Sequence, residues 1–239
     1  MIAILKKEFN SFFASPIAYL VIGVFLLING LFLWVFKDDF NLLNAGFADI
    51  NPFFYLTPWV FLFLIPAITM KSFADEFNSG TIEILKTRPV SNWQIVLGKF
   101  WASLLLVLVA LIPTLTYGYT IYRLGNPIGD MDVGSIIGSY IGLLFLAATY
   151  TAVGLFTSTL SKNQIIAFIL GVFITFLLFY GFDAISNSFS NQSIFIQKFG
   201  INEHFKSISR GVVDSRDLLY FISVTLFFLY ITKNRLENE

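Results

Sequence analysis

Three carboxylates gather in one polar stretch of the chain: Asp75 and Glu76, then Glu83. Phe73 and Phe77 lie one helical turn apart in the same stretch. Ile82 and Leu85 form a second apolar pair, and Glu83 and Lys86 can pair on the other side. Acids set among apolar anchors suit docking through ion pairs and buried rings. The groups that catalysis would need are missing elsewhere. There is no H-E-x-x-H, no paired carboxylate within an apolar run and no Ser/His/Asp set. Without cysteine there is no disulfide frame, thiolate nucleophile or zinc–cysteine site. His204 is the single histidine and reads as a surface residue. No G-x-x-x-x-G-K-[ST] occurs, so any nucleotide-driven work would need hydrolysis on another polypeptide.

The stretch from 71 to 99 is more ordered than a linker. Arg88-Pro89 should stop its first helix, because a residue before proline avoids the helical region. Ser91 and Gln94 form a capping box, with Val90 and Ile95 as a hydrophobic staple. The spacing predicts a short helix, a break, and a new helix leading onward. Two ordered helices suggest a docking surface; a helix that only covers the end of a bundle would read the same way.

The elements that must hold this stretch are apolar. The chain is 56% hydrophobic and 13% charged, with 29 phenylalanines. Soluble domains carry about 25% charged residues. A mean hydropathy of +0.77 excludes an ordinary soluble enzyme and a disordered chain. The formal charge is zero, so no bulk attraction to nucleic acid is expected. A helix needs roughly 20 apolar residues to cross a bilayer. Stretches at 16–36, 53–70, 100–122, 133–157, 164–182 and 218–232 meet or approach that length, and none contains Asp, Glu, Lys, Arg or His. The last is short, but Arg216, Lys233 and Arg235 can snorkel from its ends. The expected fold is an all-α integral membrane protein of six transmembrane helices.

Lys6 and Lys7 resemble the start of a secretory signal, yet the run after them is too long for one and no A-x-A site follows. The first span is therefore expected to stay. Placing both termini in the cytoplasm puts Lys6, Lys7, Lys71, Lys86, Arg88, Lys99, Lys162, Lys233 and Arg235 inside. Outside fall Lys37, Arg123, Lys198, Lys206, Arg210 and Arg216, the last four in the long loop 183–217. The positive-inside rule favours this orientation.

Residues 2–13 read as an amphipathic interfacial helix, with Ile2, Leu5, Phe9, Phe12 and Phe13 on one face. Ser15-Pro16 reads as cap and first residue of the first span. In the long outer loop, Ile201, Phe205, Ile208 and Val212 follow helical spacing, with Asn202 as cap and Gly211 as terminator, after a Ser/Asn/Gln-rich loop from 186 to 193. Gly134, Gly138 and Gly142, four apart, make a ridge for close helix packing. Pro58, Pro66 and Pro113 should kink their helices. Thr114, Thr116, Thr149 and Thr151 could line a route, or satisfy their own helix backbone. Uncharged spans count against an ion-coupled carrier.

One resemblance reaches further. The segment holding Lys71, Phe73, Ala74, Asp75 and Glu76, then Ser79-Gly80-Thr81 with Glu83 and Leu85, then Arg88-Pro89-Val90-Ser91 and Val96-Leu97-Gly98-Lys99, closely resembles the cytoplasmic signature of ABC-2 type permeases. The stretch from His204 through Arg210, Gly211 and Asp214 to Tyr220 and Phe221 is similar to the same family. Within it the chain most resembles gliding-motility permeases of the GldF type from Bacteroidota. Lys71 stands where many members carry Arg, and Phe77-Asn78 replaces a more polar pair.

The resemblance implies a single ABC-2 membrane domain in the inner membrane and a coupling elbow. The elbow would touch the ATPase through Phe73, Asp75, Glu76, Gly80, Thr81, Glu83, Leu85 and Pro89. It also implies a dimer of permeases, a GldA-like ABC ATPase and a GldG-like auxiliary membrane subunit. ATP and Mg would sit on the ATPase, with no cofactor, metal or catalysis on this chain. The expected function is export linked to gliding motility. The alternative is a membrane scaffold that anchors an ATPase for motility or secretion machinery.

Overall fold

A computed structural model describes residues 1–44, 48–87, 89–188, 197–211 and 214–238, apart from the side chains of residues 86, 187 and 188. Helix α1 (Ile2–Ala14) is followed at once by α2 (Pro16–Gly30), which ends in a π-helical turn, Leu31–Val35. Ser15 separates the two and accepts from the amide of Ile17 ahead of Pro16. Helix α3 (Asn51–Thr69) runs through helical Met70 into α4 (Lys71–Ser79). Gly80 then takes a left-handed φ of 70°, open to glycine without strain, and turns the chain into α5 (Thr81–Lys86).

Helix α6 (Asn92–Leu111) starts at the predicted capping box, in which Ser91 and Gln94 bond each other's backbones. At Pro113, which lacks an amide hydrogen, the helix narrows to a 3-10 turn, Ile112–Thr114, before α7 (Leu115–Leu124). Pro58 and Pro66, by contrast, lie inside α3 without interrupting it. Asp132 caps α8 (Val133–Ser158) and Asn163 caps α9 (Gln164–Phe176). A second π-helical turn, Leu177–Gly181, leads to α10 (Phe182–Ser188). Helix α11 (Ile201–Ser209) and α12 (Ser215–Glu237), capped by Asp214, complete the chain.

Six helical runs are long and apolar enough to cross a membrane: Pro16–Val35, Asn51–Ser79, Asn92–Leu124, Val133–Ser158, Gln164–Ser186 and Ser215–Glu237. The second, third and fourth are the core, with 72%, 67% and 61% of their apolar windows buried; the other three reach only 22–28%. What those outer helices expose is apolar, including Leu20, Leu27, Ile165, Phe173, Leu226 and Phe227. So broad an apolar surface belongs in lipid. With six crossings, both termini lie at one end of the bundle, together with α1, α4 and α5. Helix α11 lies at the other end.

Three local expectations change. Residues 186–188, read as loop, are the last turn of α10, while 189–193 fall outside the described residues. Helix α11 stops at Ser209, with Gly211 at φ 85° beyond it; Val212, assigned to it from spacing, also lies outside the described residues. Asn202 does not cap α11. Its amide bonds Asp183 at 2.6 Å, because Gly200 already occupies the cap position.

Candidate functional site

Two turns into α6 stands Lys99, which is 2% exposed. Its Nζ donates to Glu76 Oε1 at 2.8 Å, to Glu8 Oε1 at 3.0 Å and to the carbonyl of Ser72 at 2.7 Å. Those three bonds use every hydrogen an ammonium has. The same nitrogen lies 5.1 Å from the centre of the Phe73 ring. One atom thus holds α1, α4 and α6 together. Lys7, mostly exposed, approaches Glu8 at 3.5 Å and Glu76 at 3.8 Å. Two lysines therefore balance two glutamates, as burial requires.

The residue before Lys99 makes the approach possible. A Cβ on Gly98 would stand 2.8 Å from Ile4 Cγ2, so α1 lies directly against α6. The residue of α1 that meets α6 was not among those of its predicted interfacial face. Ile4 is its buried residue, whereas Ile2 is 73% exposed. The packed face of α1 follows Ile4 and Glu8, one turn apart. Lys99, counted from sequence only among the cytoplasmic cations, is interior because α6 begins eight residues ahead of the apolar run at 100 and packs against α1 and α4 there.

The predicted elbow residues divide into an inner and an outer set. Phe73 is fully buried and packs on Phe77 with ring centres 6.4 Å apart. Asp75 accepts a hydrogen bond from the side chain of Gln164, the first residue of α9. Glu76 is held by Lys99. Asp75 and Glu76 were expected to meet basic residues of an ATPase; in this structure one oxygen of each already has a partner within the chain. Past Gly80 the character reverses. Thr81, Glu83, Ile84 and Pro89 are exposed, and Leu85 is half-buried. The side chain of Lys86, suggested as partner of Glu83, and all of Arg88 lie outside the described residues. Ile84, 61% exposed, was not singled out from sequence, although an isoleucine beside Glu83 on so short a helix signals an unpartnered face. Glu8, Gln164 and Lys99 were missed as partners because they lie far away in the chain.

At the other end, the glycine ridge of α8 receives α11. A Cβ on Gly138 would stand 2.6 Å from the carbonyl oxygen of Ile208, and one on Gly142 would stand 3.1 Å from the Phe205 ring. Gly134 meets only Asp132 Oδ1 at 3.3 Å, but its backbone is what a Cβ on Gly211 would strike, at 2.9 Å. Ser135 and Ser139 of α8 donate to the carbonyl of Ser209, at 2.7 and 3.4 Å, and so satisfy the C-terminal end of α11. His204 is not a free surface residue. Its Nδ1 lies 2.6 Å from Asp217 Oδ1, its Nε2 lies 2.9 Å from the carbonyl of Lys198, and its ring stacks on Tyr220 at 3.9 Å. With acceptors at both nitrogens it ties α11 to α12.

The candidate route hydroxyls bond their own helices. Thr116 donates to Pro113 and Thr151 to Ala147; Thr114 donates to Leu111 and Thr149 to Phe145. Among the described residues no group of three or more His, Asp or Glu is placed to hold a metal ion. The geometry offers a mechanical element: an exposed helical tip joined through a buried ion cluster to three other helices. A family model described as ABC-2 family transporter protein matches residues 2–231 of the chain. No curated protein matches it significantly.

Proposed function

From the premise that the chain belongs to the ABC-2 transporter family and is a transmembrane permease subunit, we propose that it is driven by a separate ATP-binding cassette subunit. That subunit would grip α5 and the turn after it. Thr81, Glu83, Ile84 and Pro89 supply the exposed contact, with Leu85 at its edge. ATP and Mg would belong to that partner, and this chain would carry out no catalysis.

The observation behind this reading is the Lys99 cluster. A push on α5 passes the Gly80 turn into α4, which is continuous with the second span. Lys99 carries it to the third span and to α1, and the Asp75–Gln164 bond carries it to the fifth. A motor can shift such a bundle only if its contacts differ between two states. An exposed tip on a fixed base provides that asymmetry.

The same reading places the chain in the inner membrane, both termini cytoplasmic, as a homo- or heterodimer with a GldA-like ATPase and a GldG-like auxiliary subunit. Its export activity would serve gliding motility. The native chain has no cysteine, so Glu83→Cys supplies one reporter thiol. A membrane-impermeant thiol reagent should label it in inside-out vesicles and not in intact cells; labelling in intact cells sinks the topology. Glu83→Lys with Ile84→Asp should abolish ATPase co-purification while the permease stays folded. Full retention of the ATPase would place the dock elsewhere. Reconstituted complex that binds the ATPase but moves no solute or polymer on ATP addition would favour the scaffold.

A further inference from the structure

A cavity of about 470 Å³ opens at the end of the bundle away from the termini, between α3, the π-helical turn Leu177–Gly181 and α11. That volume lies within the range of ordinary ligand pockets. Its walls are strongly aromatic: Phe54, Tyr55 and Trp59 from α3, Phe179 and Tyr180 from the turn, and Phe205 from α11. Tyr55, Trp59 and Tyr180 are 59%, 40% and 40% exposed, so this is an open surface. Trp59 meets Phe179 edge-on with ring centres 5.5 Å apart, which fixes its indole.

Lys206 and Arg210 also line the cavity, one helical turn apart, and both are exposed. Neither enters an ion pair among the described residues. Asp183 on this side is buried and held by Asn202, and neither it nor Glu203, one turn before Lys206, lines the cavity. Two free cations therefore face an aromatic wall.

Trp59 lines a second space as well. This is an apolar groove of about 460 Å³ between the first, second and fifth spans, bounded by Leu20, Val24, Ile28, Phe63 and Phe168 among others. The two spaces share the indole as a common wall. A soluble anion would pair the cations but make no contact with the groove. A neutral hydrocarbon would fill the groove and leave Lys206 and Arg210 unpaired. A molecule with an anionic head and an acyl tail satisfies both.

We propose that this chain binds an anionic lipid there, head on Lys206 and Arg210, tail past Trp59 into the groove. Lysine and arginine close to a membrane surface attract anionic headgroups, and tryptophan favours the interface between head and tail. Binding requires only the permease chain, so it does not depend on ATP-driven movement.

The test uses purified full-length chain in nanodiscs, with lipids brominated on the acyl chain as quenchers. The Trp59 signal is the difference between wild type and Trp59→Phe. Brominated phosphatidylglycerol should quench it more strongly than brominated phosphatidylcholine at equal mole fraction. Lys206→Gln with Arg210→Gln should weaken the preference by up to about thirtyfold, the effect of losing two cations near an anionic headgroup. Lys206→Arg with Arg210→Lys should keep it and shows that the fold is intact. Equal quenching by both lipids in wild type overturns the proposal, as does an unchanged preference in the glutamine pair. Relief of quenching by millimolar inorganic phosphate or glycerol phosphate would mean that the head alone suffices, and overturns the lipid assignment.

Discussion

The two ends of the bundle hold their accessory helices by opposite means. At the end carrying the termini, α1 and α4 are fixed to α6 by a buried lysine with two carboxylates and a carbonyl around it. At the other end, α11 lies on bare backbone of α8, where Gly138 and Gly142 leave no room for a side chain. Both ends also use the other device, Gly98 under Ile4 at the first and His204 on Asp217 at the second, but the first is centred on an ion cluster and the second on a glycine ridge. The first also concentrates three helices on one nitrogen, so movement of any one of them is felt by the others. That is the property expected of a lever. The second spreads its contacts over a helix face and suits a part that stays seated.

The largest effect should come from Lys99→Met. It leaves the half-buried Glu8 and Glu76 with only the exposed Lys7 beside them, and breaking a buried pair costs about 3–5 kcal/mol, with the lower end expected here because both glutamates keep some access to water. Thermal unfolding in detergent should show a large drop, together with faster proteolysis of α1. A small change would mean that the ion cluster does not brace this end. Charge reversal at Glu76 should likewise register as lost stability, which is why docking is better tested at Glu83.

Next comes Gly138→Ala, whose added methyl strikes the carbonyl of Ile208; overpacking of this kind costs about 1–3 kcal/mol. Gly134→Ala, with only a side-chain oxygen at 3.3 Å, should cost much less. Thiol accessibility of a cysteine placed at Ser207 reads both. If the two variants release α11 equally, close backbone approach is not what seats it. His204→Ala should lower stability by about 1–2 kcal/mol, the scale of a hydrogen bond to a carboxylate discounted for partial exposure. Ser91→Ala should cost about 1 kcal/mol through loss of the cap. Smallest is Glu83→Lys, an exposed change expected to stay within about 0.5 kcal/mol, so that any loss of partner binding reflects contact alone.

Much of the architecture was legible because its causes are local. A run of apolar residues declares a span, and Ser91 with Gln94 declares a helix start, from neighbours only a few residues apart. Gly80 and Gly211 mark turns because only glycine takes a positive φ freely. The reading failed where the partner is distant or the apolar pattern is a poor guide to burial. His204 looked solitary because Asp217 lies on the next helix. Ile4 was missed because periodicity reports which residues share an apolar face and not which residue meets a neighbouring helix.

By itself the sequence determined that this chain carries six membrane-spanning helices and a helical elbow between its second and third spans. Those follow from hydropathy, capping and composition, which act over short stretches. Tertiary structure alone decided which acids of the elbow turn inward. Glu76 and Glu83 are the same residue type seven positions apart, yet one is half-buried and ion-paired with Lys99 and the other faces outward. The difference is Lys99, brought to Glu76 by packing of α4 on α6, because a buried carboxylate is tolerated only where a cation can reach it.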